Sequence, residues 1–184
     1  MLIMFADVND CFAANCIPLL IQQNVDGSGF FNRSWAEFKV GFNDTKGNFW
    51  LGNDLLSELT LNGRYQLKFD LQSRADPLKW YYAHYSTFIV LNERTNYTLH
   101  VRGYSGNAGQ DSLSYQNYMM FSTYDRDNDL FPGNCAERHG GGFWYNHCAN
   151  CEVNSKRPSA DDFGWAGLPG GQALQSSRMW LQCK

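Results

Sequence analysis

The last third of the chain is rich in Gly, Asn, Asp and Cys and has little hydrophobic periodicity. Irregular segments of this length are uncommon inside a compact domain and, where they occur, usually carry function. They cannot hold themselves together by a helix or strand ladder, so they need staples. Six cysteines supply candidates: Cys11, Cys16, Cys135, Cys148, Cys151 and Cys183. The fold must therefore combine a regular part with a stapled, loop-rich part.

The regular part lies upstream. VDGSGFF, FNDTKGNF, LGND and LNGR place Gly beside Asp or Asn, the chemistry of tight turns. RYQLKFDLQ alternates polar and apolar residues, TFIVL does so less strictly, and NYTLHVRGY puts Tyr97, Leu99 and Val101 on one face. These predict half-buried strands. SWAEFKVGF opens on a Ser cap with Glu37 three residues on, the pattern of a capping box. GNDLLSELTLNG predicts a second short helix, with Asp54 near its start and Gly63 past its end.

Charge excludes several functions. The net charge is −3 and no basic run occurs, so a nucleic-acid groove is not expected. MLIMFA and CIPLLI are far too short to span a bilayer. The HExxH, G-x-S-x-G, Walker A and dinucleotide-binding glycine patterns are absent, and His84 and His100 fall in strand-like stretches. The acidic pair Asp161–Asp162 has no partner in the sequence. No enzyme is expected. The sequons at Asn32, Asn43 and Asn96, together with the cysteines, predict a secreted, extracellular glycoprotein. MLIMFADVND lacks a basic n-region and a long apolar core, so it reads as the start of a mature or truncated chain.

YDRDNDLFPGNC, residues 124–135, sets Asp125, Asp127 and Asp129 close enough to repel one another unless a cation sits among them. An EF-hand is excluded, because its sixth position is Leu130 and its twelfth Ala136. A solvated acidic turn and a different calcium loop both remain. Cys148-x-x-Cys151 with His139 and His147 reads either as zinc ligands or as part of a disulfide framework.

VDGSGFFNRSWAEFKVGF, GNFWLGNDLLSELT, RYQLKFDL, YSGNAGQDSLSYQNYMMFSTYDRDND and NCAERHGGGFWYNHC, in this order, resemble the fibrinogen-like (fibrinogen C-terminal) domain family over roughly residues 20–165. The flavour is that of ficolin- and tachylectin-type lectins. The resemblance implies one α+β domain over 1–184, with a truncated N-terminal part at about 1–18, a central mostly antiparallel sheet at 19–105 and a calcium- and ligand-binding part at 106–184. It implies Ca²⁺ held by the side chains of Asp127 and Asp129 and the carbonyls of Phe131 and Gly133, with Asp125 in support. It also implies a Cys135–Cys148 disulfide, and a cis peptide at His147–Cys148 that turns the N–H groups of Cys148 and Ala149 toward a ligand. Gly140–Gly142 would let the chain turn sharply inside that loop.

An acetyl group needs a small apolar wall and one or two donors. The candidate wall is Phe143, Tyr145, Trp165 and Ala166, with His139 nearby, while Trp144 reads as core. Cys151 is expected to pair with Cys183, and Cys11 with Cys16. The chain departs from the family pattern at Cys148–Ala149, where a histidine commonly follows the cysteine, at GGQALQSS, which lacks an aromatic, and at the tail MWLQCK. The implied function is calcium-dependent, lectin-like pattern recognition of N-acetylated or other microbial surface glycans in innate immunity, by a homo-oligomer. The alternative is an extracellular protein-binding module of the fibrin-like or receptor-ligand type, with Ala149 part of that shift.

Overall fold

A computed structural model describes residues 17–74, 79–156, 163–171 and 173–184. Cys11, Cys16, Asp161, Asp162 and nearly all of the expected N-terminal part lie outside the described residues.

The frame is a seven-stranded antiparallel sheet in the order β2-β3-β1-β11-β4-β5-β6. Its long strands are β1 (Leu19–Asn24), β4 (Tyr65–Ser73), β5 (Trp80–Val90), β6 (Leu99–Gly106) and β11 (Leu174–Cys183). A short hairpin of β2 (Phe42–Asn43) and β3 (Phe49–Trp50) forms one edge. The alternation in RYQLKFDLQ has the expected result: Leu67, Phe69 and Leu71 are buried while Lys68, Asp70 and Gln72 face outward. Along β5, Tyr81, Ala83 and Tyr85 continue the buried side. Near Gly103 both β5 and β6 exchange faces, so that Phe88 and Val101 turn inward. A Cβ on Gly103 would stand 2.0 Å from Ser86 Oγ, and its φ is +73°.

Helix α1 (Trp35–Val40) begins with the expected capping box, Ser34 and Glu37 each satisfying the other's backbone N–H. Helix α2 (Asn53–Thr60) packs against β5, where Thr60 Oγ1 accepts from Val90 N at 2.9 Å. Asp54 does not cap α2. It accepts instead from Tyr97 OH at 2.5 Å.

The loop-rich part lies on the buried side of the sheet. It carries two short ladders of two residue pairs each: β7 (Phe121–Ser122) with β8 (Phe143–Trp144), and β9 (Cys151–Glu152) with β10 (Gly164–Trp165). Gln22 of β1 ties it to the sheet, its Nε2 donating to Val153 O at 3.1 Å and Asn154 Oδ1 at 3.0 Å, while Gln116 Nε2 ties segments of the loop-rich part together, donating to Trp144 O and Cys151 O at 3.0 Å each. Buried amides of this kind are stable only when satisfied.

One expected boundary needs correction. Strand β11, from the tail, pairs with both β1 and β4 in the middle of the sheet, with Met179 opposite Phe69. The sheet is therefore not confined to 19–105, and residues 106–184 are not one unit.

Candidate functional site

The three aspartates of the acidic loop have separate tasks. Asp125 turns away from its neighbours: its Oδ1 accepts from Trp35 N at 2.9 Å and Thr123 Oγ1 at 2.7 Å, tying the loop to α1. Arg126 continues this tie. Its guanidinium lies 3.9 Å from the Trp35 ring centroid and donates to Asn96 Oδ1 at 2.6 Å. Asp127 Oδ1 accepts from Asp129 N at 3.1 Å. Asp129 accepts from Phe131 N and Cys135 N, each at 2.9 Å.

Burial holds the Asp129 carboxyl above the ordinary carboxylate range, and the nearby Asp127 charge adds to this, although the two backbone N–H groups oppose it. Among the described residues, the carbonyls of Phe131 and Gly133 accept no hydrogen bond. Two neighbouring carboxylates, one half-buried, beside two free carbonyls make an oxygen-only donor set that fits a hard cation such as Ca²⁺. No described cluster of three or more His, Cys, Asp or Glu side chains exists, so carbonyls and water would have to supply the rest of such a shell.

Helix α3 (Cys135–His139) follows at once. Asn134 caps it, with Oδ1 accepting from Glu137 N at 3.0 Å and Nδ2 donating to Thr123 O at 3.0 Å. Cys135 and Cys148 are disulfide-bonded, with Cα atoms 5.6 Å apart, and the His147–Cys148 peptide is cis. One expected pairing and one alternative reading fail here. Cys151 is a free, buried thiol whose pKa burial pushes up, while Cys183 is disulfide-bonded, so Cys151 and Cys183 do not pair. Nor is the zinc set assembled: Cys148 is in the disulfide, and His139 Nδ1 lies 3.0 Å from Glu152 Oε2.

The candidate wall residues are placed inside the core. Phe143, Tyr145 and Trp165 are each 0% exposed. Tyr145 OH donates to Gly141 O at 2.8 Å and its ring stacks on His139 at 6.0 Å. Trp165 packs on Phe69 of the sheet at 5.2 Å. The backbone of Ala166 is used up by Asn150 O and Ser112 Oγ. Phe143, Tyr145 and Trp165 present no side-chain surface to a ligand in this structure, because their rings are packed against Trp144, His139 and Phe69 respectively. Of the proposed pocket, Cys148, Ala149 and Ala166 are partly open.

What does surround the cis peptide is different. Exposed Tyr115 donates through its OH to His147 O at 3.2 Å, and Asn146 Nδ2 returns a bond to Tyr115 O at 2.9 Å. The exposed His147 ring stands edge-on to Phe131 at 4.9 Å, and Arg138 lies 5.6 Å from the same Phe131 ring. Nothing local in DSLSYQNY marks Tyr115, because its position depends on a contact 32 residues away. Of the sequons, Asn32 and Asn43 are exposed, whereas both side-chain atoms of Asn96 are engaged, by Arg126 and Met120 Sδ.

Comparison with known proteins places this architecture. The family described as fibrinogen beta and gamma chains, C-terminal globular domain, matches residues 5–174. Protein scabrous of Drosophila melanogaster is 39% identical over 162 residues, covering 88% of this chain and 20% of that protein. Tenascin-R of Rattus norvegicus is 39% identical over 138 residues, covering 75% and 10%. Fibrinogen-like protein A of Apostichopus parvimensis is 38% identical over 157 residues, covering 82% and 55%. The chain thus spans from a tenth to about half of these relatives. The fibrinogen-like globe domain of human ANGPTL2 superposes with a TM-score of 0.80 at 34% identity, covering 90% of this chain and 80% of that one. A lamprey fibrin D-dimer complexed with the peptide ligand Gly-His-Arg-Pro-amide superposes at 0.74 and 29% identity, covering 88% and 60%.

Proposed function

The chain belongs to the fibrinogen beta and gamma C-terminal globular domain family, and from that premise we propose that it is an extracellular protein-recognition domain whose ligand docks around the His147–Cys148 peptide. Its family consists of binding modules rather than enzymes. The observation that carries the reading is the surface at that peptide. Tyr115, Phe131, Arg138 and His147 form a mixed aromatic and cationic patch, while the rings that would have walled an acetyl pocket are sealed in the core. Tyr and Arg on a firm support are typical anchors for a peptide or protein partner. The peptide complex of the lamprey relative supports the same ligand class. The glycan reading has no comparable support, since three of its wall residues have no open surface. No helix among the described residues is long and apolar enough to cross a membrane.

The test is capture from an extracellular matrix extract in Ca²⁺, comparing the wild type with Tyr115→Ala/Arg138→Ala. Specific protein bands are expected with the wild type, lost in the variant and unaffected by N-acetylglucosamine. Bands that vanish with the free sugar, or persist in the variant, would overturn the proposal.

Ca²⁺ is proposed as the ion of the acidic loop, held by Asp127 and Asp129 with help from the carbonyls of Phe131 and Gly133. When bound, it would neutralise the two carboxylates and firm the loop that leads into Cys135. Asp127→Ala/Asp129→Ala is expected to abolish the calorimetric signal for Ca²⁺ and the rise in Tm that Ca²⁺ gives the wild type. An unchanged affinity would rule out this site.

A further inference from the structure

The outward face of the sheet, turned away from the acidic loop, has a composition that the protein-recognition reading does not use. Pairing registers give three rows across it: Gln23–Arg178–Asp70–Tyr82, Trp180–Lys68–His84–Ser105, and Ser176–Gln72–Trp80. Trp80 and Tyr82 are 40% and 45% exposed. Arg178 lies 5.0 Å from the Trp80 ring, Trp180 Nε1 donates to Asp70 Oδ2 at 2.8 Å, and Lys68 pairs with Asp70 at 2.8 Å. The Trp80 and Trp180 rings are therefore held by polar neighbours across the strands.

The sign of charge is one-sided. In a chain with 18 acidic and 15 basic residues, Asp70 is the only acid in β1, β4, β5, β6 and β11. Against it stand Lys68, Arg102 and Arg178 on those strands, with exposed Arg74 just past the end of β4 and two histidines, His84 and His100, beside them. Strands disfavour Asp more than Glu or Lys, which accounts for part of this sign. A solvated antiparallel face needs only polar residues. It needs neither exposed tryptophan nor an excess of arginine.

We propose that this face binds a sulfated polysaccharide. The sulfates would meet Arg74, Arg102 and Arg178, the charge of Lys68 being taken up by Asp70, and the sugar rings would lie along Trp80 and Tyr82, which offer apolar faces flanked by hydrogen-bonding groups such as Gln72 and Gln23. Charge complementarity selects the class, because a neutral glycan would gain nothing from the basic bias. The face is on the opposite side of the sheet from the cis-peptide surface, so both ligands can be held at once.

Calorimetry with a heparin-derived oligosaccharide at ~0.05 M and ~0.15 M salt tests this. Binding is expected at the lower salt and should weaken markedly at the higher. Arg74→Ala/Arg178→Ala should raise the Kd about tenfold, as two charge contacts of modest strength imply. Because Arg178 also touches Gln23 and Trp80, Arg74→Ala/Arg102→Ala serves as a second variant at exposed positions, where Arg102 touches only the exposed Tyr118 OH at 2.9 Å, with the same direction of change. Lys46→Ala, on the β2–β3 turn, should leave the Kd unchanged. The proposal fails if heparin does not bind at low salt, if a chitin oligomer binds as tightly, or if Lys46→Ala weakens binding as much as the double variants.

Discussion

Trp144→Ala is expected to lower the unfolding free energy by about 3–5 kcal/mol, the cost of emptying a large buried aromatic site. Trp144 is 0% exposed and lies where the two parts of the domain meet. Its ring is 5.2 Å from Phe121 and 5.1 Å from Phe143 in the loop-rich part, 6.2 Å from Trp50 of β3 and 6.3 Å from Phe88 of β5. The alanine variant also removes the donor that reaches Tyr97 O at 2.7 Å. Few neighbours can collapse into the gap, because each is itself held by the sheet or a short ladder. Folded domains are stable by only about 5–15 kcal/mol, so this is a large share of the total, and the Tm should fall by roughly 10 °C. Urea unfolding followed by circular dichroism measures it. Trp144→Phe should keep most of the packing and lose distinctly less. A loss below ~1 kcal/mol for the alanine variant would mean that the site relaxes far more than its surroundings suggest.

Cys135→Ala/Cys148→Ala should cost about 3 kcal/mol, since the bond closes a loop of sequence separation 13. Between the two cysteines lie α3, three glycines and β8, and only β8 has a ladder partner. The bond therefore limits an otherwise wide unfolded ensemble. Cys135 N also donates to Asp129 at 2.9 Å, so loosening this end should reduce the stabilisation given by Ca²⁺. Thermal melts of the variant and of the wild type, with and without Ca²⁺, check both effects. An unchanged midpoint would show that the loop is held by packing alone.

The three glycines show how far local reading reaches. GGG predicts a sharp turn, but only Gly140 has positive φ, at +67°, where it ends α3. Gly141 and Gly142 are needed for close approach. A Cβ on Gly141 would stand 2.1 Å from Asn154 O, and one on Gly142 would stand 2.5 Å from the Phe38 ring. Those neighbours are distant in sequence, so the motif alone could not reveal them. The same holds for β11: Ser177 is buried against Gln22, and a strand with inward-facing polar residues does not alternate cleanly. Cys151 could not be read either, because its isolation depends on where Cys135 and Cys148 meet.

Sequence alone determined whatever depends on short-range chemistry. The Ser34–Glu37 capping box, the alternating faces of β4, the acidic loop and the family strings all rest on bonds or spacings within a few residues. Tertiary structure decided which aromatics are core and which are surface: Phe143, Tyr145 and Trp165 inside, Tyr115 and Trp80 outside. It also decided that Asp125 braces α1 while Asp127 and Asp129 face each other. Residue type reports a side chain's chemistry, but exposure and partnership are set by which distant strand or loop folds over it.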